Sequence, residues 1–199
     1  QNKDVFTYKS DFDENGILYA IGSGFGKSEY RNPAQAGLVE VRTAARMGRV
    51  SKPKEFIVGR DGGIDCYING VENNWFCINF KNRSIRPTHY TLRHDVAPTN
   101  ENHLRNWQLQ GSNDGDGDLW DVLIDHKNDE SLNEPDATKT WVIPKSKTFY
   151  QYFRLRMTGV TSSQRWYLCC SGFEIYGEIR RKDDDGGATK KMHTLIKIV

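Results

Sequence analysis

Short runs of β-branched and aromatic residues, separated by clusters of Gly, Asn, Asp and Pro, recur along the chain. Such runs favour strands, and the polar clusters between them favour turns. In residues 152–157, for example, aromatic and aliphatic positions alternate with Arg154 and Arg156. This alternation is typical of a strand with one buried side and one side in water. The predicted strands are residues 16–21, 37–43, 74–80, 86–93, 107–111, 118–124, 139–143, 152–157 and 168–177.

Short strands joined by polar turns predict an all-β fold, an antiparallel β-sandwich of the jelly-roll kind, rather than alternating βαβ units. Only residues 52–58, with Pro53 near their start, suggest a short helix. Large aromatic side chains are expected to fill the space between the two sheets. The predicted core residues are Trp75, Phe76, Ile78, Phe80, Trp107 and Phe173.

The length of 199 residues suits one domain with a short extension. We expect the sandwich to occupy residues 1–180. Residues 181–191 are charged or small, including the acidic run Asp183-Asp184-Asp185, and are predicted to form a linker. Residues 192–199 form a short apolar tail in this interpretation.

Composition narrows the classes of partner. The 28 basic and 26 acidic residues leave a formal net charge of +2, so we expect no nucleic-acid partner. No apolar run approaches the ~20 residues of a membrane span, and we expect no membrane association. Cys66, Cys77, Cys169 and Cys170 lack CxxC spacing and a nearby His. They predict free thiols in an intracellular, cytoplasmic domain, the alternative being a Cys66–Cys77 disulfide in a secreted one.

Two polar loops resemble ligand sites, but their spacing favours ordinary turns. The Gly-rich residues 22–28 do not match a phosphate-binding P-loop, because Ile21 stands where the first Gly is required. Residues 114–118 place Asp at alternate positions, as a calcium loop does, but Leu119 stands where such a loop needs Gly. No nucleophile lies in a recognisable catalytic motif. We therefore expect a non-catalytic domain without a cofactor or a metal ion.

The long polar connections carry the candidate ligand-binding residues, because Tyr, Trp and Arg gain much contact area for each side chain that is ordered. These candidates are Tyr30, Arg31, Arg93, His94, Asn100, Arg165 and Trp166. We expect them to bind a protein or peptide from loops at one end of the sandwich. The alternative is a carbohydrate-binding, lectin-like domain, in which aromatic rings and planar polar groups hold a glycan with assistance from calcium in the Asp-rich turn.

Three segments, in this order, resemble a known family. They are NWFCINF at 74–80 followed by RPTHYTLRH at 86–94, then LRNWQLQGSNDG at 104–115, and SGFEIYG at 171–177. This order is similar to the galactose-binding-like, discoidin-type β-sandwich, and more so to the intracellular version in HECT-type ubiquitin ligases and some BTB-domain proteins. The resemblance covers about residues 6–180 and implies a jelly roll whose ligands meet loops at one end. It also implies recruitment of substrates for ubiquitylation, although this fold hosts sugar, lipid, peptide and protein binding alike.

Overall fold

The computed structural model describes residues 4–96 and 101–181. Strands and two short helical turns make up the regular structure of these residues, and neither helix has the length and apolar character needed to cross a bilayer. The elements are β1 (Asp4–Phe6), α1 (Ile17–Gly22), β2 (Glu40–Thr43), a 3₁₀ helix (Lys54–Val58), β3 (Tyr67–Ile68), β4 (Trp75–Asn79), β5 (Arg83–Arg93), β6 (Trp107–Ser112), β7 (Asp121–His126), β8 (Thr138–Val142), β9 (Tyr152–Met157), β10 (Leu168–Cys169) and β11 (Gly172–Arg181).

The strands form two main sheets that face one another. One sheet has four strands in the order β1-β11-β5-β8, and the other has five in the order β2-β4-β9-β6-β7. A two-stranded pair of β3 and β10 lies beside them. Every pairing is antiparallel. Buried side chains of both sheets belong to one apolar core, which confirms the predicted antiparallel β-sandwich.

A chain of hydrogen bonds connects the two sheets across this core. The Trp107 indole of β6 donates to the Tyr90 hydroxyl of β5 at 2.9 Å, and that hydroxyl lies 2.6 Å from His126 Nε2. Because an indole can only donate, the hydroxyl accepts from Trp107 and gives its own hydrogen to His126. His126 Nδ1 then carries the proton and donates to Asp129 at 2.9 Å. Asp129 also accepts from the Trp141 indole of β8 at 3.1 Å.

Most of the core predictions are confirmed. The fully buried predicted residues are Phe76, Ile78, Phe80, Trp107 and Phe173. Trp75 is only half-buried, because it lies on the face of β4 opposite to Phe76 and Ile78, which point into the core. The alternation in β9 is as expected, with Phe153, Leu155 and Met157 buried and both arginines partly exposed.

Residues 16–21 were expected to form a strand, and this prediction is wrong, because most of them form helix α1. The carboxylate of Glu174, on β11, accepts hydrogen bonds from the Leu18 and Tyr19 amides at 2.8 and 3.0 Å. Both amides belong to the first turn of the helix, where N–H groups have no hydrogen-bond acceptor within the helix. The preceding residue is Gly16, where a Cβ atom would lie 2.1 Å from the Glu174 side chain. A long-range contact therefore decides the local structure.

Other boundaries differ from prediction in smaller ways. The strand expected at 168–177 is divided into β10 and β11, because the Cys170 and Ser171 amides turn to the Cys66 and Arg93 carbonyls, both at 3.0 Å. The helix expected at 52–58 is a 3₁₀ helix. β11 extends to Arg181, the first residue of the predicted linker, and the rest of that linker and the tail at 192–199 lie outside the described residues.

All four cysteines are free and buried. Burial raises the pKa of Cys77 and of Cys170 to about 12, so these thiols stay protonated at neutral pH. The predicted free thiols are confirmed, and the alternative Cys66–Cys77 disulfide is absent.

Truncation of Trp107 to Ala should lower the free energy of unfolding by about 3–5 kcal/mol, through the cavity it leaves and the loss of its hydrogen bond to Tyr90. Denaturant unfolding followed by circular dichroism measures this change. Trp120→Ala is the control, because Trp120 is half-buried and stacks on Arg154, which lies on the face of β9 opposite to the core. Equal effects of the two substitutions would contradict the central position of Trp107.

Replacement of Glu174 by Gln should remove a pH dependence of stability. Burial, the largest influence, raises the pKa of Glu174 to about 7 although three backbone amides favour its charged form. Between about pH 4.5 and 7 the folded chain therefore keeps a proton that the unfolded chain has lost, so stability falls as pH rises through this window.

Between these pH values the wild-type chain should lose on the order of 3 kcal/mol of unfolding free energy. Above pH 7 the Glu174 carboxyl no longer makes stability depend on pH. Urea denaturation of both proteins across the window measures the difference in their unfolding free energies. If that difference does not change between pH 5 and 7, the buried carboxyl does not titrate as inferred.

Candidate functional site

The connections that carry most of the candidate residues leave the strands at one end of the sandwich. β5 ends at Arg93, which pairs with Gly172 at the start of β11 and with Thr138 at the start of β8. In the other sheet, β9 ends at Met157, paired with Trp107 at the start of β6. The loops that follow or precede these residues therefore collect together, and we call this the Arg93 end.

Two of the three predicted binding loops are joined at the Arg93 end. The Asn102 amide donates to Ser163 Oγ at 3.1 Å, and the His103 amide donates to Ser162 Oγ at 3.0 Å. The Ser162 amide returns a hydrogen bond to the His103 carbonyl at 3.0 Å. Side-chain and backbone bonds of this kind hold irregular segments in one conformation. The residues before β6 and those before β10 thus form one surface.

A cleft of about 280 Å³, which we call the loop cleft, lies beside these joined loops. Its polar and aromatic lining residues are Asp65, Tyr67, Asp95, Asn102, Arg165 and Tyr167. The two tyrosine rings meet edge to face, with centroids 5.9 Å apart and an interplanar angle of 76°. Pairing of β3 with β10 places Tyr67 opposite Cys169 at the edge of this cleft. The small third sheet therefore forms one of its walls.

The charges of the loop cleft are divided between its interior and its rim. Asp95 is fully buried, and Asp65 has a buried Oδ1 that accepts no hydrogen bond from the described residues. Arg165 is exposed at the rim and pairs with Glu101 at 3.7 Å. Buried carboxylate oxygens accept strong hydrogen bonds from charged donors. The cleft is thus suited to hydroxyl, amide or ammonium donors of a ligand.

His94 supports the Arg93 end from inside. Its ring is buried and lies 4.6 Å from the His103 ring, centroid to centroid. Burial, with smaller contributions from His103 and Arg105, lowers the pKa of His94 to about 3, so the ring is neutral at pH 7. The His94 amide donates to the Ala137 carbonyl at 2.9 Å, and its carbonyl accepts from Ser171 Oγ at 3.0 Å. These contacts fix the start of the loop.

Arg93 and Trp166 are half-buried and contact the sandwich itself. The Arg93 guanidinium lies 4.2 Å from the centroid of the Phe12 ring and donates to the Arg60 carbonyl at 2.9 Å. The Trp166 side chain packs against the core, while its carbonyl accepts from the Asn74 amide group at 2.8 Å. Both residues therefore connect the loops to the strands.

The first predicted loop lies against α1. The Tyr30 ring stacks on the Tyr19 ring at 5.3 Å, and the Arg60 guanidinium lies over both rings, at 4.7 Å from Tyr19 and 5.7 Å from Tyr30. Burial raises the pKa of Tyr30 to about 12. Arg31 is exposed, and Asn100 lies outside the described residues. The structure therefore places Tyr30 in an aromatic cluster with Arg60.

Asp65 and Tyr67 line the loop cleft but were not among the residues predicted from the sequence. Strand β3 contains only two residues, too few for an alternating pattern to be visible. The available signal was the run GRDGGID at 59–65, whose glycines and acidic residues are typical of a tight turn next to a polar surface.

The Asp-rich turn is held by contacts within the protein. Asp116 pairs with Arg42 of β2 at 2.6 Å. Ser112 Oγ donates to the Leu119 carbonyl at 2.7 Å and accepts from the Asp114 amide at 2.9 Å. Within residues 4–96 and 101–181, no three His, Cys, Asp or Glu side chains are grouped so that they could hold a metal ion.

Comparisons with known proteins show relatives that are much longer than this chain. The E3 ubiquitin-protein ligase Ufd4 of Drosophila melanogaster is 40% identical over 192 residues, which cover 94% of this chain and 7% of the ligase. The E3 ubiquitin-protein ligase hecd-1 of Caenorhabditis elegans is 38% identical over 173 residues, 85% of this chain and 6% of that protein. A BTB/POZ domain-containing protein of Arabidopsis thaliana is 26% identical over 182 residues, 87% of this chain and 22% of its own length. No protein-family model matches the chain.

Solved structures with the same architecture include two carbohydrate-binding modules. The Clostridium perfringens module CpGH89CBM32-5, in complex with GalNAc-beta-1,3-galactose, has a TM-score of 0.53 at 9% identity, over 70% of this chain and 96% of the module. A chitosan-binding module of a Paenibacillus chitosanase/glucanase has a TM-score of 0.55 at 14% identity, with the same coverage of 70% and 96%. Such low identity shows the fold alone. The chain therefore shares the β-sandwich fold of these modules, and its sequence is similar to a segment of two E3 ubiquitin-protein ligases and of a BTB/POZ domain-containing protein.

Proposed function

We propose that this domain is a non-catalytic recognition module that binds a protein or peptide partner at the Arg93 end. The loop cleft is the observation that carries the proposal. Its tyrosine rings and its rim guanidinium belong to the residue types that protein interfaces use for anchoring contacts. The bonds of Ser162 and Ser163 to the neighbouring loop order this surface before a partner arrives, which lowers the entropic cost of binding.

The titratable groups near the loop cleft support a binding role over catalysis. Burial keeps Cys169 and Cys170 protonated by raising the pKa of each, so neither is a thiolate nucleophile at neutral pH. His94 is neutral but buried, and its lowered pKa makes it a weak base. The same proposal places the domain inside the cell, where free thiols such as these persist.

The similarity to segments of E3 ubiquitin-protein ligases supplies a biological setting for this binding. In that setting the domain recruits substrates for ubiquitylation, while the transfer chemistry belongs to other parts of the longer protein. A rigid β-sandwich suits this task, because its loops can vary while the scaffold fixes their positions.

A second candidate function is carbohydrate binding. Its specific support is the combination of Tyr67, Tyr167 and Asn102 in the loop cleft, since sugars bind to aromatic faces and planar polar groups. The edge-to-face contact of the two rings is less favourable to it, because the rings do not form one flat platform. Peptide binding accounts for the charged residues of the cleft as well as for its aromatic rings, and we therefore prefer this proposal.

Peptides selected on the wild-type chain from a random display library should bind the loop cleft. We expect the combined substitution Arg165→Glu and Tyr167→Ala to weaken the selected peptides by roughly tenfold or more, because it removes one aromatic anchor and reverses a rim charge. Fluorescence anisotropy with synthetic versions of the selected peptides measures the dissociation constants.

Lys145→Glu is the matched control for the change in charge, because Lys145 is exposed in the connection between β8 and β9. It should leave the dissociation constants unchanged, and a thermal melt of each variant shows whether the sandwich is intact. Equal affinities of the wild-type and doubly substituted chains would place the peptide site elsewhere.

A glycan array probed with and without calcium separates the two candidate functions. The peptide-binding proposal predicts no selective glycan signal in either condition. Selective signals that disappear in Tyr167→Ala would instead establish the carbohydrate function at the same cleft.

A further inference from the structure

A second cavity lies far from the loop cleft. Its volume is about 410 Å³, and four cations line it: Lys27, Arg83, Arg180 and Arg181, with Asp4 as a single carboxylate. Arg83 begins β5, whereas Arg93 ends it, so the two positions are separated by roughly 33 Å at ~3.3 Å per residue. We call this cavity the basic mouth, because it opens at the end of the sandwich opposite the Arg93 end.

The strand register explains why two cations of the basic mouth, Arg83 and Arg181, converge. Arg181 of β11 pairs with Arg83 of β5, and two residues inward Ile179 pairs with Ile85. Paired residues, and those two positions apart, share one face of a sheet. Both isoleucines are buried in the core, so the two arginines occupy the same inward-facing row where it reaches solvent. Apolar side chains normally occupy a core-facing row, whereas the last two positions of this one carry guanidiniums.

The charge of Arg83 at the basic mouth is incompletely satisfied among the described residues. The Arg83 guanidinium is half-buried, and its Nε atom is buried without a hydrogen-bond partner among the described residues. Burial, and then the positive charge of Arg181, lower the pKa of Arg83. Of the lining residues that the structure describes, Asp4 is the one carboxylate and four are cations. A cavity of this kind favours the entry of an anion.

We propose that the basic mouth binds the phosphate group of a phosphorylated protein segment. A phosphomonoester carries about −1.5 to −2 charges and three acceptor oxygens, which suits several converging cations better than one carboxylate does. The forked guanidiniums of Arg83 and Arg181 match the geometry of phosphate oxygens. Phe25 and Ile179 form an apolar part of the same lining, against which the carbon atoms of a phosphorylated side chain can pack.

The site differs in construction from a phosphate-binding P-loop. Lys27 belongs to the Gly-rich residues 22–28, whose spacing does not match that motif. Side chains from three separate elements, rather than the backbone amides of one loop, supply the donors here. The Arg83 guanidinium lies 5.9 Å from the centroid of the Phe25 ring, so the loop also holds one of the donors in place.

An NMR titration of the whole 199-residue chain with sodium phosphate, at constant ionic strength, tests the proposal. Saturable shifts should appear for the guanidinium signals of Arg83 and Arg181. Substitution of both arginines by Gln should raise the dissociation constant of inorganic phosphate roughly tenfold or more, because two charge-assisted contacts are lost. Substitution of both arginines by Lys retains the positive charges but not the forked guanidinium geometry, and it should reduce the affinity for phosphate less.

The matched control is Arg46→Gln with Arg49→Gln, which removes two exposed guanidiniums outside the basic mouth. It should bind phosphate like the wild type. Absence of saturable shifts in the wild-type chain, or an equal loss of affinity in the control, would overturn the proposal. A thermal melt without phosphate shows that each variant is folded.

A phosphoserine peptide and its unphosphorylated form distinguish the two sources of phosphate. The proposal predicts that the phosphorylated peptide binds, that the unphosphorylated one does not, and that inorganic phosphate competes with the former. If inorganic phosphate binds to the mouth while phosphopeptides are excluded, the site serves a small free anion and the assignment to a protein segment is wrong.

Discussion

The hydrogen-bond chain from Trp107 through Tyr90 and His126 to Asp129 is the constraint on which this sandwich depends. Its members come from both sheets, so the relative position of the sheets is fixed by directional bonds as well as by apolar contact. Each donor has one acceptor, and the order of donation follows from the indole, which cannot accept. Burial lowers the pKa of His126, so the ring remains neutral and the order is kept at physiological pH. A fully satisfied buried network of this kind specifies one arrangement of the core, where apolar contacts alone would tolerate several.

The period-two pattern was sufficient to predict the sandwich, because β9 and its neighbours each have one buried and one partly exposed face. It failed at residues 16–21, where an apolar run is too short to distinguish a helix from a strand. The choice there depends on Glu174, more than 150 residues away, whose carboxylate receives the first-turn amides. The meeting of the two loops at the Arg93 end could be expected from the strand order, but Asp65 and Tyr67 could not, since a two-residue strand carries them.

The near-balance of charge along the whole chain conceals a difference between its two ends. At the Arg93 end, Asp65 and Asp95 provide buried acceptors and Arg165 is a cation at the rim. At the opposite end, the last residues of the inward-facing row of β5 and β11 are Arg83 and Arg181. The charged groups at the two ends follow from the same constraint. The core-facing rows of side chains in an antiparallel sandwich must end where its strands end. Polar side chains at those positions are partly desolvated and held by the scaffold, which is the condition under which a charge is most useful for recognition.

Arg60 joins the core to the recognition surface. Its guanidinium lies 3.6 Å from the Glu174 carboxylate and over the Tyr19 ring, so one side chain contacts both the buried cap of α1 and the helix itself. Its carbonyl meanwhile accepts from Arg93, the last residue of β5. Loss of the proton from Glu174 strengthens its attraction to Arg60 while increasing the cost of burying its charge. A core carboxyl and the strand end from which the binding loop departs therefore contact the same residue.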